Sequence, residues 1–584
     1  MPLTQESLWA ALPNTARAQT THLSYDAKND RIAYAAGKSI FIRDVEAPSK
    51  SIQYTSHTFP TTVASFSPSG FYMASGDESG NVKIWDTMGE DLVLKGEYQI
   101  INGRINAIVW DADSNRVIAV GNGKERYGHA FTWDSGNTVG EISGHSAQIN
   151  AAAIRPVRPY RAATVSDDSA LVFYHGPPFR FEASVRGHHT NFVRDVKYSP
   201  DGAFLVSVGA DRQIVVYDGK TGEFLKKIGD GVHEGGIFSV SWVDSERFVT
   251  SSADATVKLW NVNSGEVLKS WGFEKKLENH QVGVVATKKY VISLSFNGDL
   301  NYWTEDSEEP VKVLKGHQKS ITASLVTKNG ELYTGSYDGR VAKWDTTTGN
   351  ATYEAGHSNL VVGIVEDSKT VYSAAWDDKL QTLDASTSTD ISGQPKSISS
   401  SDEIVAVITE DTLFGYKSGS ESFTTKLPTP ATAVGASSSY IAVGFQNNSV
   451  SVFSTATGAK EFDLPAGRAA ASYIAFSPNG AYLAVGDVSG KIILYDVEAK
   501  SVQTSRWAFH TGRINSIAWN EDNNQVVSGS LDTNIIVYRV DKPMKNVKFM
   551  NAHKDGVNTV QWLKDDVIVS GGSDAAVKTW KVTY

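Results

Sequence analysis

The sequence predicts an all-β protein built as two seven-bladed β-propellers. Three observations lead there. Short apolar runs closing on an aromatic or equivalent residue recur fourteen times. Each repeat holds alternating apolar segments of strand length separated by Gly, Asp, Asn and Ser turns. No long window shows a competing helical period. The clearest runs are KIWD at Trp85, FTWD at Trp133, LVFY at Tyr174, VVYD at Tyr217, KLWN at Trp260 and AKWD at Trp344. NYW at Trp303, ILYD at Tyr495, IVYR at Tyr538 and KTW at Trp580 continue the series. Arg43, Leu383, Tyr416 and Phe453 occupy the same place in weaker copies. The mean spacing is about 41 residues, the length of a four-stranded blade.

Fourteen blades exceed the four to eight of an ordinary ring, so the chain divides into two sevens. The first ring is expected over residues 14–318. It begins near His22, and VKVLKGH (Val311–His317) supplies the outer strand of its seventh blade. A middle blade such as FVRDVKYSPDGAFLVSVGADRQIVVYDGKTGEFLKKI reads as four strands and three turns, with SPDG giving tight-turn chemistry. The second ring is expected over residues 319–584. Its last repeat stops at Tyr584 after three strands, which leaves a bare strand edge. A segment from about residue 3 to 13, containing ESLWAALP, is therefore expected to complete that blade. The repeats between Leu383 and Phe453 are the least regular, and poorer internal hydrogen bonding is expected there.

Composition narrows the function. Lys and Arg total 55 against 65 Asp and Glu, a net charge of −10, which argues against a nucleic-acid partner. Cysteine is absent, so disulfides, thiolate nucleophiles and thiolate metal sites are excluded. The start MPLTQESLWAALPNTAR lacks a secretory pattern, and no apolar stretch approaches a membrane span. A cytoplasmic protein without membrane insertion, metal or cofactor is expected.

A second periodicity lies inside the first. Six residues before the aromatic position stand Asp168, Asp211, Asp254, Asp338, Asp377, Asp532 and Asp574. Asn297, Asn447, Ser79 and Ser489 hold the place in other repeats, and His145, His189, His317, His357 and His553 lead into several. This arrangement resembles the WD40 family over nearly the whole chain. The resemblance implies that the Asp sits in the turn between a blade's second and third strands and the His in the loop leading into the blade. With Ser or Thr and an aromatic such as Trp344, they would form a buried hydrogen-bonded set. His317, Ser336 and Asp338 could pass for a catalytic triad. A constellation repeated in many blades is scaffold, however, and no nucleophile elbow, phosphate loop or zinc spacing accompanies it. The chain is read as a non-enzyme.

Candidate interaction residues are those that break the repeat. Three places after the lead-in His stand Gln148, Ser320, Leu360 and Gly556, but Phe192 in HHTNFV. The blade needs no ring there, so Phe192 is a candidate anchor. Asp167 precedes the structural Asp168 and is expected to point outward. Glu125 lies in the chain's longest turn, between Lys124 and Arg126. Arg180 and Phe181 follow Gly176-Pro177-Pro178 at the start of an outer strand.

Longer segments resemble one family within this class, that of actin-interacting protein 1. They include SGDESGNVKIWD, GKERYGHAFTWDSGN, GPPFRFEASVRGHHTNFVRDVKYSPDG, TSRWAFHTGRINSIAWN, SLDTNIIVY and NAHKDGVNTVQW. The resemblance implies a monomer that binds actin filaments decorated with cofilin/ADF, promotes their severing and disassembly, and limits regrowth from barbed ends in cortical actin structures. It assigns this activity to Glu125, Asp167, Arg180, Phe181 and Phe192, with Arg180 standing where the family has lysine. The open alternatives are a general WD40 scaffold for another complex and a propeller enzyme. The latter needs an acid–base pair unique to one blade, and the sequence offers none.

Overall fold

The computed structural model describes residues 3–89 and 91–583. Among them are fourteen four-stranded antiparallel sheets and a single short 3-10 turn at Leu277–Asn279. No helix is long and apolar enough to cross a membrane. The chain forms two seven-bladed propellers in two compact units, Leu12–Gln318 and Lys319–Tyr584 with Met1–Ala11.

Each blade is a meander whose strands a to d run from the ring centre outward. Blade 4 shows the pattern, with Ile149–Ile154, Arg161–Ser166, Leu171–His175 and Arg180–Val185. Strands b and c are the most buried because sheets lie on both of their faces, and they read as near-continuous apolar runs. Strand d alternates and is largely exposed. The core lies between blades. Val63, Ile84, Ile105, Trp110 and Phe131, for example, fill the space between the second and third.

In the second unit the strand Leu3–Trp9 pairs antiparallel with Val577–Val582, so blade 14 has its outer strand. Trp9 is 2% exposed and stacks on Trp344 with ring centroids 5.3 Å apart. Blade 10, in the irregular region, keeps four strands (Ser397–Ser400, Val405–Ile408, Thr412–Lys417 and Ser420–Lys426). It is held by an apolar cluster that includes Ile404, Ile408, Leu413 and Leu427.

The b–c turns follow one rule in eleven blades. The residue after the Asp, Asn or Ser position has a left-handed backbone, from Gly80 at φ +90° to Ala575 at +59°. Glycine at Gly339 is required twice over. Its φ is +87°, and a Cβ there would stand 2.1 Å from the His357 carbonyl oxygen of the next lead-in loop.

Candidate interaction face of the first propeller

The lead-in loops and b–c turns meet at one end of each ring, where repeated polar sets hold them. In blade 5, His189 Nδ1 lies 3.0 Å from Asp211 Oδ2, and Nε2 lies 2.8 Å from Ser207 Oγ. Blade 4 repeats this with His145, Asp168 and Thr164. In blade 14, His553 lies 2.8 Å from both Asp574 and Ser570, and the Trp580 indole donates to Ser570. Trp344 donates to Thr334, and Asp338 accepts from Ser336 at 2.6 Å. His317 is fully buried at the end of the first unit.

Three further histidines complete the pattern. His233 bonds Asp254 at 2.9 Å, His510 bonds Asp532 at 2.9 Å, and His57 bonds Asp77 at 3.0 Å. They escape sequence reading because their lead-in loops (SHTFPT, DGVHEGG, AFHTGR) share no motif with the others. Blade 2 also corrects the spacing. Its His partner is Asp77, eight residues before Trp85, while Ser79 merely donates to that carboxylate at 2.6 Å. Blade 7 has Gln281 in place of His, bonded to Ser293 and Ser295.

These sets are electrostatically consistent. Burial alone would raise the Asp532 carboxyl, but His510 and the Thr511 and Asn534 amides outweigh it and bring it down to about 2. Asp254 is lowered in the same way by His233, Thr256 and the Glu234 amide, against its own burial. Burial lowers His145, His357 and His553 despite their carboxylate partners, so the neutral imidazole is favoured.

The candidate residues lie on blades 3 to 5. Glu125, Lys124 and Arg126 are exposed in the turn between Arg116–Gly123 and Gly128–Thr132. The Tyr127 hydroxyl at the end of this turn lies 3.4 Å from the Ser146 carbonyl in the loop leading into blade 4. Phe192 is 42% exposed, with the Arg194 guanidinium 5.3 Å from its ring centre. Asp167 differs from the outward orientation expected of it. It is half-buried, and its carboxylate accepts from Gln148 of the lead-in loop at 2.6 Å and from Asn150 of the central strand at 2.8 Å. The reason is the free amides beside it, which satisfy a carboxylate better than partial solvation does. Asn150 also donates to the Val193 carbonyl at 2.8 Å, which ties the Asp167 turn to the Phe192 loop.

Arg180 and Phe181 lie on the perimeter, on the outer strand of blade 4, and both are exposed. The Phe181 ring lies over Gly144 next to His145, where a Cβ would stand 2.7 Å from it. The five residues thus fall into a loop-face group and a perimeter pair. Sequence reading passed over Arg194. Its signal was its place two residues after Phe192, at the start of the strand Val193–Tyr198. Arg194 and Arg104 line a small polar cavity of about 40 Å³ with Gln148 and Asn150. Burial lowers both guanidiniums, opposed by Asp167 at Arg194 and by Glu78 at Arg104. Among the described residues no cluster of His, Cys, Asp and Glu could hold a metal. Acid, base and aromatic groups on solvent-facing loops are equipped to bind a protein surface.

Repeated blades, buried His–Asp pairs and an exposed loop face define a WD-repeat double propeller. The family model "WD domain, G-beta repeat" matches residues 49–86, 179–218, 225–261, 308–345, 467–496, 501–539 and 544–581. The chain is 42% identical to an uncharacterized WD repeat-containing protein of Schizosaccharomyces pombe over 99% of both chains. It is 36% identical to actin-interacting protein 1 of Drosophila melanogaster over 90% of this chain and 89% of that one. It is 35% identical to WD repeat-containing protein 1 of Mus musculus over the full length of both. The chain belongs to the family of actin-interacting protein 1 and WD repeat-containing protein 1.

Proposed function

We propose that this protein binds actin filaments decorated with cofilin/ADF through the first propeller, and promotes their severing and disassembly while limiting barbed-end regrowth. The observation that carries the reading is near-full-length similarity to a protein named for its interaction with actin. The grouping of Glu125, Asp167 and Phe192 on adjoining blades supports it. Phe192 is the anchor, its ring held beside Arg194. Asp167 keeps the turn and the Asn150 bridge in place, and Glu125 supplies a solvated charge. Arg180 and Phe181 make a second, perimeter contact. Binding drives disassembly to the extent that the face has higher affinity for the cofilin-altered filament than for the bare one. The protein acts as a monomer without cofactor, in the cortical actin cytoskeleton.

The test is microscopy of fluorescent filaments with cofilin alone, this protein alone, and both. The expected result is faster severing only with both, lost in Phe192→Ala at an unchanged melting temperature. Equal severing with and without the protein overturns the reading.

A further inference from the structure

The central strands carry a repeated device of their own. Among the described residues, the register between a blade's first two strands slips by one residue in twelve blades, which makes a β-bulge just after the lead-in loop. The extra residue is Thr62, Asn106, Asn150, Arg194, Phe238 or Val282 in the first propeller. In the second it is Thr322, Val362, Thr432, Ser472, Asn515 or Asn558. Six of these side chains do the same thing. Asn106 donates to the Ile149 carbonyl, Asn150 to Val193, Thr322 to Val361, Ser472 to Ile514, Asn515 to Val557 and Asn558 to Ile321. Each acceptor stands just before the bulge of the next blade, and the last of these bonds joins blade 14 to blade 8. A short polar side chain at the bulge is therefore a stitch between neighbouring blades.

Arg194 breaks this device. It is the one charged residue among the twelve, and a stitch from its place would run to the Ile237 carbonyl. Among the described residues its guanidinium donates no hydrogen bond, and it lies instead beside the Phe192 ring. Phe238 and Val282, at the next two bulges, also lack the stitch, but they have no polar group to satisfy. The N-terminal segment bonds there, with Thr20 donating to the Phe238 carbonyl and the Thr21 amide to that of Val282. Arg194 carries five N–H donors in a half-buried place, and donors left without an acceptor as water is withdrawn are costly. A scaffold role does not account for it, because asparagine at the same bulge serves the scaffold in blades 3 and 4.

The space beside the guanidinium fits one small polar group. Arg194 and Arg104 face a common cavity of about 40 Å³ with Gln148, Asn150, Thr20 and His22. That is room for about three water-sized atoms, the size of a carboxylate. The fixed charges around it balance. Two arginines face Asp167 and Glu78, and Glu78 lies 3.5 Å from Arg104. His22 is held toward its neutral form by burial, and Asp195 and Lys197, which act on it, pair with each other at 2.9 Å. Recognition here is therefore directional and does not come from a surplus of charge. Both Asp167 oxygens are taken by the Gln148 and Asn150 amides, so the planar fork of Arg194 stays open, and its geometry matches a carboxylate.

On the actin reading of this face, on which the inference rests, we propose that Arg194 receives an aspartate or glutamate side chain of the cofilin-decorated filament in this cavity, with Phe192 seated beside it as the apolar anchor. The test is co-sedimentation of the full chain with cofilin-decorated filaments at about 0.05 M and about 0.2 M salt, with a melting curve for each variant. Arg194→Asn installs the side chain that stitches blades 3 and 4, so its melting temperature should be kept or raised. Its affinity should fall at least about tenfold at the lower salt, and it should lose part of the parent chain's salt dependence. Arg194→Lys keeps the charge without the fork and should bind about threefold more weakly than the parent. Three results overturn the proposal while leaving the actin reading in place. They are an Arg194→Asn variant that binds as tightly as the parent, one that binds weakly with the parent's full salt dependence, and one that melts early, since the arginine then only supports the Phe192 ring or the scaffold. A parent chain that does not bind decorated filaments overturns the actin reading, and this inference with it.

Discussion

Asp167 and Trp376 occupy the same place in their blades, each with its amide bonded to the lead-in loop, yet one is a half-buried carboxylate and the other an exposed indole. Asp167 is turned into hydrogen bonds with Gln148 and Asn150, whereas Trp376 is presented to solvent. The repeat thus assigns structure to the main chain and to the buried His–Asp sets, and leaves one side chain per turn free to vary. The two propellers have used that freedom differently. At this place the first carries Glu78, Asp167, Ala210, Ala253 and Phe296, and the second carries the exposed Tyr337, Trp376, Val488 and Leu531 with Gln446 and Ser573.

The largest expected effect tests whether the rings are closed by different means. Removing residues 1–11 strips the outer strand from blade 14 and should abolish the calorimetric transition of the second propeller while leaving that of the first. Trp9→Ala alone should cost about 3–5 kcal/mol, as for other large buried aromatics. An unchanged transition would show that the strand is dispensable. Next in size is the separation of the two faces. Phe192→Ala should slow cofilin-dependent severing about tenfold or more, while Trp376→Ser should leave it unchanged. Equal losses would place the filament contact on both propellers.

The scaffold sets should show a gradient with burial. Asp254→Ala removes a nearly buried carboxylate that holds His233, Thr256 and the Glu234 amide, and should cost about 3 kcal/mol in chemical denaturation. Asp338, which is exposed, should cost about 1 kcal/mol or less when changed to Ala.

Acid should then act in two stages. His145, His357 and His553 titrate below the ordinary 6.5 when folded, so the unfolded chain binds protons first, and stability falls as pH drops through about 6.5. Asp532 is held at about 2 against an ordinary 3.8, so its contribution is complete above 3.8 and lost between there and about 2. Melting temperature against pH should show both steps, and His553→Gln should shrink the first. The smallest effect is expected on the perimeter of blade 4. Arg180→Lys keeps the charge and should change severing by less than about twofold, whereas Arg180→Glu should weaken it measurably.

The fold class was legible because a propeller writes its period into the sequence. Fourteen recurring strands, twelve of them closing on an aromatic residue, at a mean interval of about 41 residues admit few architectures, and KIWD at Trp85 or AKWD at Trp344 can be found by eye. Longer segments such as GPPFRFEASVRGHHTNFV carried the family. Less was legible where partners lie far apart in sequence and lack a motif. His233 and His510 look like ordinary loop residues until the strands bring Asp254 and Asp532 against them. The shift from Ser79 to Asp77 in blade 2 was hidden because a serine two places later can occupy the same turn.

The sequence by itself therefore determined the repeat, the number of blades and the family, since these depend on local alternation and spacing. Only the tertiary structure decided which way Asp167 faces, because the amides of Gln148 in the lead-in loop and Asn150 on the central strand compete with water for its carboxylate. Only the tertiary structure brings Asn558 onto the Ile321 carbonyl. A closed ring makes its last blade a neighbour of its first, and a linear sequence has no means of showing that adjacency.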